Sequence, residues 1–268
     1  MRVGLGSYAF RWAIGTRDFT PSNPLTPFGL LEKSAALGAE VVQICDNLPL
    51  DSLPDSTLND LAQRAADLGL ILEVGIKGSR PEHLRRNLGV AKQLGAPLLR
   101  VVLTDAGWEP SFDEFVAIFK SLLPDLRAAG VTIAIENHFH LLPMELARLV
   151  EAINDPLAGV CLDPLNSITK LVGVAETIDV LAPFTVSVHA KDAVVTRPHT
   201  GFYISGCQLG KGLVDLPGML AAVRAAGRSP NVLLEGWMDR LDDEAATLVQ
   251  EEAWVRQGVA YLRRLLNE

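Results

Sequence analysis

A closed (β/α)8 barrel, the TIM-barrel architecture, is the fold class this sequence predicts, and three observations predict it. Eight short strand-like runs alternate with eight helix-like segments along the 268 residues, the pattern of a parallel sheet wrapped by helices. A chain of this length suits one such barrel. The strand-like runs are apolar on one parity and small or polar on the other. An open doubly wound sheet, the alternative, is covered by helices on both faces and would be greasy on both parities.

The first run, RVGLGSY (2–8), sets Val3 and Leu5 toward a helix layer and Gly4, Gly6 and Tyr8 toward the interior. EVVQIC (40–45) divides Val42 and Ile44 from Gln43 and Cys45 in the same way. LILEVGI (70–76) turns Glu73 and Gly75 inward, with Lys77 at the strand end. PLLRVVLT (97–104) turns Arg100 inward, and VTIAIEN (131–137) turns Ala134 and Glu136. AGVCLD (158–163) does so with Cys161 and Asp163, TVSVHA (185–190) with Ser187 and His189, and NVLLEG (231–236) with Leu233 and Glu235. Between the runs, apolar residues recur at three- and four-residue spacing over 27–38, 55–68, 81–94, 111–129, 144–153, 173–182, 215–226 and 243–266, which predicts helices. Several of these end in Gly, which closes a helix in the left-handed conformation. Ser111 and Asp242 stand where N-caps belong. No linker interrupts the alternation, so a single domain over 1–268 is expected.

The net charge of −8 argues against nucleic acid or an anionic membrane as partner, since both reward basic faces. Cys45, Cys161 and Cys207 are odd in number and lack a CxxC spacing, which points away from a disulfide framework and toward a reducing compartment. The N-terminal MRVGLGSYAF has no signal-peptide core, and no apolar run approaches the ~18 residues of a membrane span. A cytoplasmic protein is expected.

Glu136, Asp163, His189 and Glu235 end four successive strands on the inward parity. The C-terminal mouth of a barrel is where this fold carries its chemistry. Three acids crowded there without compensation would repel or take up protons. A divalent cation removes the conflict, and oxygen-rich ligation with one imidazole suits Mn2+ or Mg2+ first, then Co2+, Fe2+ or Zn2+.

The stretches IAIENH, CLDPLN, VHAKDA, LGKGLVDLPGML and LLEGW, in that order, resemble the blocks of the xylose isomerase-like TIM-barrel superfamily, in its sugar-phosphate isomerase/epimerase branch. The resemblance spans essentially the whole chain. It implies that Glu136, Asp163, His189 and Glu235 hold the metal, and that Glu136 and Glu235 also flank the reacting carbon as base and acid. It implies for His138 a contact to substrate or to a carboxylate behind the ligands. Asn166 stands where the epimerases often carry a His; Asn binds a hydroxyl but carries protons poorly, and it serves either substrate or a loop cap.

Lys191 shares the inward parity of His189 and reaches either substrate or a strand-end partner such as Asp192. Residues 193–212 form a long loop, read as a lid or specificity loop, whose Arg197 either grips a carboxylate or phosphate or lies on the surface. Tyr8, with Phe10 and Trp12 nearby, either walls the pocket or packs in the core, and Trp237 lines the rim. Glu73 and Arg100 read as a buried ion pair. Cys45 and Cys161 read as core residues, and His83 and His140 as solvated.

The leading functional expectation is a metal-dependent isomerase or epimerase of a sugar or sugar-derived keto substrate, acting through an enediolate. The alternative on the same scaffold is a lyase, a dehydratase or decarboxylase of a keto sugar or keto acid. An endonuclease of the DNA-repair type is remote, because five histidines and an acidic surface fit neither its histidine-rich metal cluster nor its basic groove. The expected partner is a small-molecule substrate, with a homo-oligomer built through 243–266 as a further expectation.

Overall fold

The computed structural model describes residues 1–267. Its barrel strands are β1 (Val3–Gly6), β2 (Val41–Ile44), β3 (Ile71–Lys77), β4 (Leu98–Val102), β5 (Thr132–Glu136), β6 (Ala158–Leu162) and β7 (Thr185–Ala190). After a hairpin of β8 (Asp192–Thr196) and β9 (Tyr203–Cys207), β10 (Asn231–Leu234) completes the wall. The order around the closed barrel is β1-β10-β7-β6-β5-β4-β3-β2, every pairing parallel. The helices are α1 (Arg11–Ile14), α2 (Pro27–Ala36), α3 (Asp55–Asp67), α4 (Pro81–Gln93), α5 (Phe112–Ala129), α6 (Pro143–Ile153), α7 (Val174–Leu181), α8 (Leu216–Ala225) and α9 (Glu244–Asn267). No helix among the described residues is long and apolar enough to cross a membrane.

Strand parity builds the core. Leu5, Val42, Leu99, Val101, Ile133, Ile135, Val160, Val188 and Val232 are fully buried, as are Leu30, Leu61, Leu84, Leu146, Leu181 and Leu220 from the helices that cover them. Each such side chain contributes about 1.5–3 kcal/mol on burial. The opposite parity leaves the interior polar. Gln43, Glu73, Arg100, Ser187 and His189 are buried there, with Cys45 and Cys161 among them as core residues.

Caps follow the sequence in most places. Ser111 and Glu114 form a reciprocal capping box at the start of α5, and Gly130 ends it at φ 68°. At α9 the cap lies one residue later than expected: Asp243, rather than Asp242, accepts the Ala246 N–H at 2.8 Å.

The structure corrects four further expectations. The first strand stops at Gly6, and Ser7–Phe10 is a 3-10 turn. Ser7 Oγ accepts the Cys45 N–H at 2.9 Å, and Phe10 is buried, so the chain folds over the barrel mouth instead of running on. Glu73 and Arg100 are not an ion pair. Strand register sets Arg100 opposite Gly75, which leaves Glu73 two residues nearer the barrel floor. There it accepts hydrogen bonds from Gln43 (2.9 Å) and Asn231 (2.8 Å). The 193–212 segment is largely the β8–β9 hairpin, not an irregular loop. Asp192, which opens it, does not pair with Lys191. Its carboxylate accepts backbone N–H groups from Ala193, Gly210, Gly212 and Val214 at 2.8–3.1 Å. His83 is half-buried, 3.8 Å from Asp51, while His140 is exposed as expected.

Candidate active site

The four expected ligands converge at the barrel mouth. Glu136 ends β5, Asp163 follows β6, His189 lies in β7 and Glu235 follows β10, and these strands are neighbours in the wall. Gly6 leaves room for Glu235: a Cβ at that position would lie 3.1 Å from Glu235 Cγ. His189 Nδ1 is 3.5 Å from Glu136 Oε1, 3.7 Å from Asp163 Oδ2 and 3.5 Å from Glu235 Oε2. Glu136, Asp163 and His189 each bring one ligand atom within 4.8 Å of the others. Glu235 stands beside this group rather than within it.

Each of the four residues keeps one buried atom without a hydrogen-bond partner: Glu136 Oε2, Asp163 Oδ2, His189 Nδ1 and Glu235 Oε1. Buried polar atoms are nearly always satisfied; His189 Nδ1 and Glu235 Oε1 have no hydrogen-bond partner among the described residues, Glu136 Oε2 and Asp163 Oδ2 meet the cations of Arg100 and Lys191, and such a set fits a divalent cation. The charges agree. Burial opposes a charge on His189, but Cys161, the facing glutamates and Asp163 raise its imidazole pKa well above the ordinary value.

Other cations enter the same cluster. Arg100 Nε lies 3.1 Å from Glu136 Oε2, an ion pair without hydrogen-bond alignment, and Arg100 Nη1 lies 3.4 Å from Asp46. Asn166 Nδ2 donates to Glu136 Oε1 at 2.8 Å. Burial pushes the Glu136 carboxyl up, yet Arg100, His189 and Lys191 hold it far below the usual range. Lys191 Nζ contacts Asp163 Oδ2 at 2.5 Å and Glu235 Oε2 at 3.3 Å, and stands 4.7 Å above the Trp237 ring. Burial disfavours its charge, but Asp163 and Glu235 raise its pKa on balance. Asp163 is held below its ordinary value against burial, with Lys191 and His189 the cause.

A cavity of about 200 Å3 opens over these groups, and Tyr8, His138, Asn166, Lys191 and Trp237 all line it. Tyr8 Oη donates to Asp46 at 3.0 Å, so the phenol is part of the wall. Burial lowers the His138 imidazole to about 4, which leaves it neutral near pH 7. Arg197 is not brought to the cavity; it is exposed beyond the end of β8, because the hairpin carries it away from the mouth.

Some contributors carried no sequence signal of their own. Asn137 holds the Asp163 backbone at both ends, donating to its carbonyl and accepting from its N–H at 2.7 Å each. Its place between Glu136 and His138 was the available hint. Gln43 meets His189 Nε2 at 2.9 Å, and Asp46 joins Tyr8 to Arg100. Arg11 and Lys77 also line the cavity, and among the described residues neither forms an ion pair.

A family model described as xylose isomerase-like TIM barrel matches residues 31–265. A Pectobacterium atrosepticum protein named 3-oxo-isoapionate decarboxylase is 34% identical over 264 residues, covering 98% of this chain and 95% of that protein. Among solved structures, a D-psicose 3-epimerase determined with D-fructose superposes with a TM-score of 0.75 at 15% identity, covering 100% of each chain. A xylose isomerase-like TIM barrel protein from Mycobacterium smegmatis in complex with magnesium superposes with a TM-score of 0.70 at 14% identity, covering 96% of each.

Proposed function

This chain belongs to the xylose isomerase-like TIM barrel family, and on that premise we propose that it is a divalent-metal-dependent decarboxylase of a sugar-derived 3-oxo acid. The observation that carries the reading is the pairing of both candidate proton-handling carboxylates with buried cations: Glu136 with Arg100 and Glu235 with Lys191. Abstraction of a C–H proton needs a carboxylate of raised basicity, and these contacts act in the opposite direction on Glu136. Loss of CO2 from a 3-oxo acid needs no base. The electrons of the breaking C–C bond pass toward the ketone oxygen, and the carbon that loses CO2 takes up a proton.

Glu136, Asp163 and His189, with Glu235 beside them, would hold the ion, and Mn2+ or Mg2+ suits this oxygen-rich set. When bound, such an ion supplies a Lewis acid that draws electron density onto the substrate carbonyl oxygen. Lys191 Nζ, kept charged by Asp163 and Glu235, stands in the cavity wall as a fixed positive charge for the oxygen that gains electrons, and the proton of the new C–H bond comes from solvent. Lys77 and Arg11, cations of the same wall without carboxylate partners, offer contacts for an anionic substrate. Asn166 keeps Glu136 in place. The identity with a relative named as a decarboxylase of a 3-oxo acid supports the same reading.

Isomerisation or epimerisation is the second reading. It is favoured by the equal 3.5 Å approach of Glu136 and Glu235 to His189 Nδ1. Mn2+-loaded protein incubated in D2O with 3-oxo sugar acids and with ketoses, followed by NMR, separates the two. Release of CO2 with deuterium in the new C–H bond is expected. Deuterium washing into recovered ketose with no loss of carbon would overturn the decarboxylase assignment.

A further inference from the structure

Below the mouth, inside the barrel, a chain of side chains runs from His189 to the floor. His189 Nε2 is 2.9 Å from Gln43 Oε1, Gln43 Nε2 donates to Glu73 Oε2 at 2.9 Å, and Glu73 Oε1 accepts from Asn231 Nδ2 at 2.8 Å. His189 and Gln43 are fully buried, and Glu73 is 1% exposed. The strands fix the chain in place, because Gln43 and Glu73 are register partners across β2 and β3. Nothing in the proton-handling chemistry uses these residues, and a carboxyl buried at the barrel floor is tolerated only because both its oxygens are hydrogen-bonded.

We propose that Gln43 and Glu73 are positioning residues that hold His189 with its proton on Nε2 and the Nδ1 lone pair directed at Glu136, Asp163 and the metal position. The inference rests on the metal reading above. Its logic is donor order. Both Glu73 oxygens face amide nitrogens, Gln43 Nε2 and Asn231 Nδ2, and accept from them; a primary amide has one accepting and one donating end. With Glu73 accepting from both flanking amides, Gln43 has to turn its NH2 toward Glu73 and its oxygen toward His189. Cys45 Sγ, 3.6 Å from the same Gln43 oxygen, adds a second donor and favours the same orientation. An oxygen facing Nε2 requires Nε2 to carry a hydrogen, so the nitrogen whose lone pair is available to a metal is Nδ1. That is the nitrogen found 3.5–3.7 Å from three carboxylates with no hydrogen-bond partner. Partners behind a histidine ligand fix its tautomer and ring orientation, and removing them weakens metal binding about 10–100-fold.

The test is titration calorimetry of the full chain with MnCl2. It compares the wild type with Gln43→Leu, with Glu73→Gln and with the swapped pair Gln43→Glu/Glu73→Gln, each checked for folding by circular dichroism. Gln43→Leu is expected to weaken Mn2+ binding about 10–100-fold, and Glu73→Gln, which is isosteric and frees the Gln43 amide to turn either way, by several-fold. The swapped pair restores an acceptor facing Nε2 and a donor behind it, and is expected to return to within about threefold of the wild type. A packing role alone would not produce that recovery. Wild-type protein that binds no Mn2+ would instead refute the metal reading. Wild-type binding with an unaffected Glu73→Gln variant, or a swapped pair no tighter than Gln43→Leu, would overturn the positioning role and leave the metal reading standing.

Discussion

Arg100 Nε stands 3.1 Å from Glu136 Oε2, with both side chains buried beneath the barrel mouth. Removing one partner of such a pair leaves an uncompensated buried charge, which costs about 3–5 kcal/mol. Arg100→Met is expected to lower the urea-unfolding free energy of the metal-free protein by that amount, and Arg100→Lys by less. Unfolding at the wild-type midpoint would show that Glu136 does not depend on this cation.

Lys191 contacts two of the candidate ligands without being one. Lys191→Met is expected to bind Mn2+ at least as tightly as the wild type, because an ammonium no longer competes for Asp163 Oδ2. Turnover is expected to fall on the order of 10²-fold, the usual worth of one preorganised charge-stabilising donor. Calorimetry and steady-state rates read the two effects separately. Loss of metal binding with turnover per bound metal unchanged would reverse the assignment.

Chelator treatment is expected to stop turnover and lower the melting temperature. Restoring Mn2+ at about 100 times its dissociation constant should return about 2.7 kcal/mol of stability. Asp163→Asn is expected to show no such response to Mn2+ in thermal melts. A full response in that variant would move the ion elsewhere.

Glu251, on α9, accepts the Trp12 and Ala13 N–H groups at 2.7 and 2.9 Å and ties α9 to α1. Burial raises its carboxyl from 4.5 to about 7 in the folded protein. The folded state therefore binds more protons than the unfolded state between those values, and the contribution of Glu251 to stability falls as pH rises through that window, by roughly 3 kcal/mol at most. The stability of the wild type relative to Glu251→Gln should decline from pH 4.5 to 7 and level off above. Denaturant titrations at several pH values measure it, and a pH-independent difference would contradict the raised carboxyl.

The eight barrel strands were legible because burial imposes a period of two, and the sequence carries that period in nearly every run. Glu136, Asp163, His189 and Glu235 were legible for a related reason: each is the polar residue ending an inward parity. What parity leaves open is the stagger between neighbouring strands, which is set by closure of the barrel. Glu73 and Arg100 share a parity and adjacent strands, yet the stagger separates them and sends Arg100 up to Glu136. Asn137 and Asn231 escaped notice, and Gln43 was placed on the inward parity without a role, because a neutral amide gives no charge or spacing signature. The β8–β9 hairpin was read as loop because its Val195, Tyr203 and Ile204 face solvent, and a strand without a buried face reads weakly as a strand.

The hairpin is fastened at its base by one carboxylate. Ala193, Gly210, Gly212 and Val214 all give their N–H groups to Asp192, next in sequence to Lys191, which contacts Asp163 and Glu235. A segment gathered at a single knot is modular. Residues between the knot's two ends can be lengthened, shortened or exchanged without redrawing the barrel or moving Glu136, Asp163, His189 and Glu235 at its mouth.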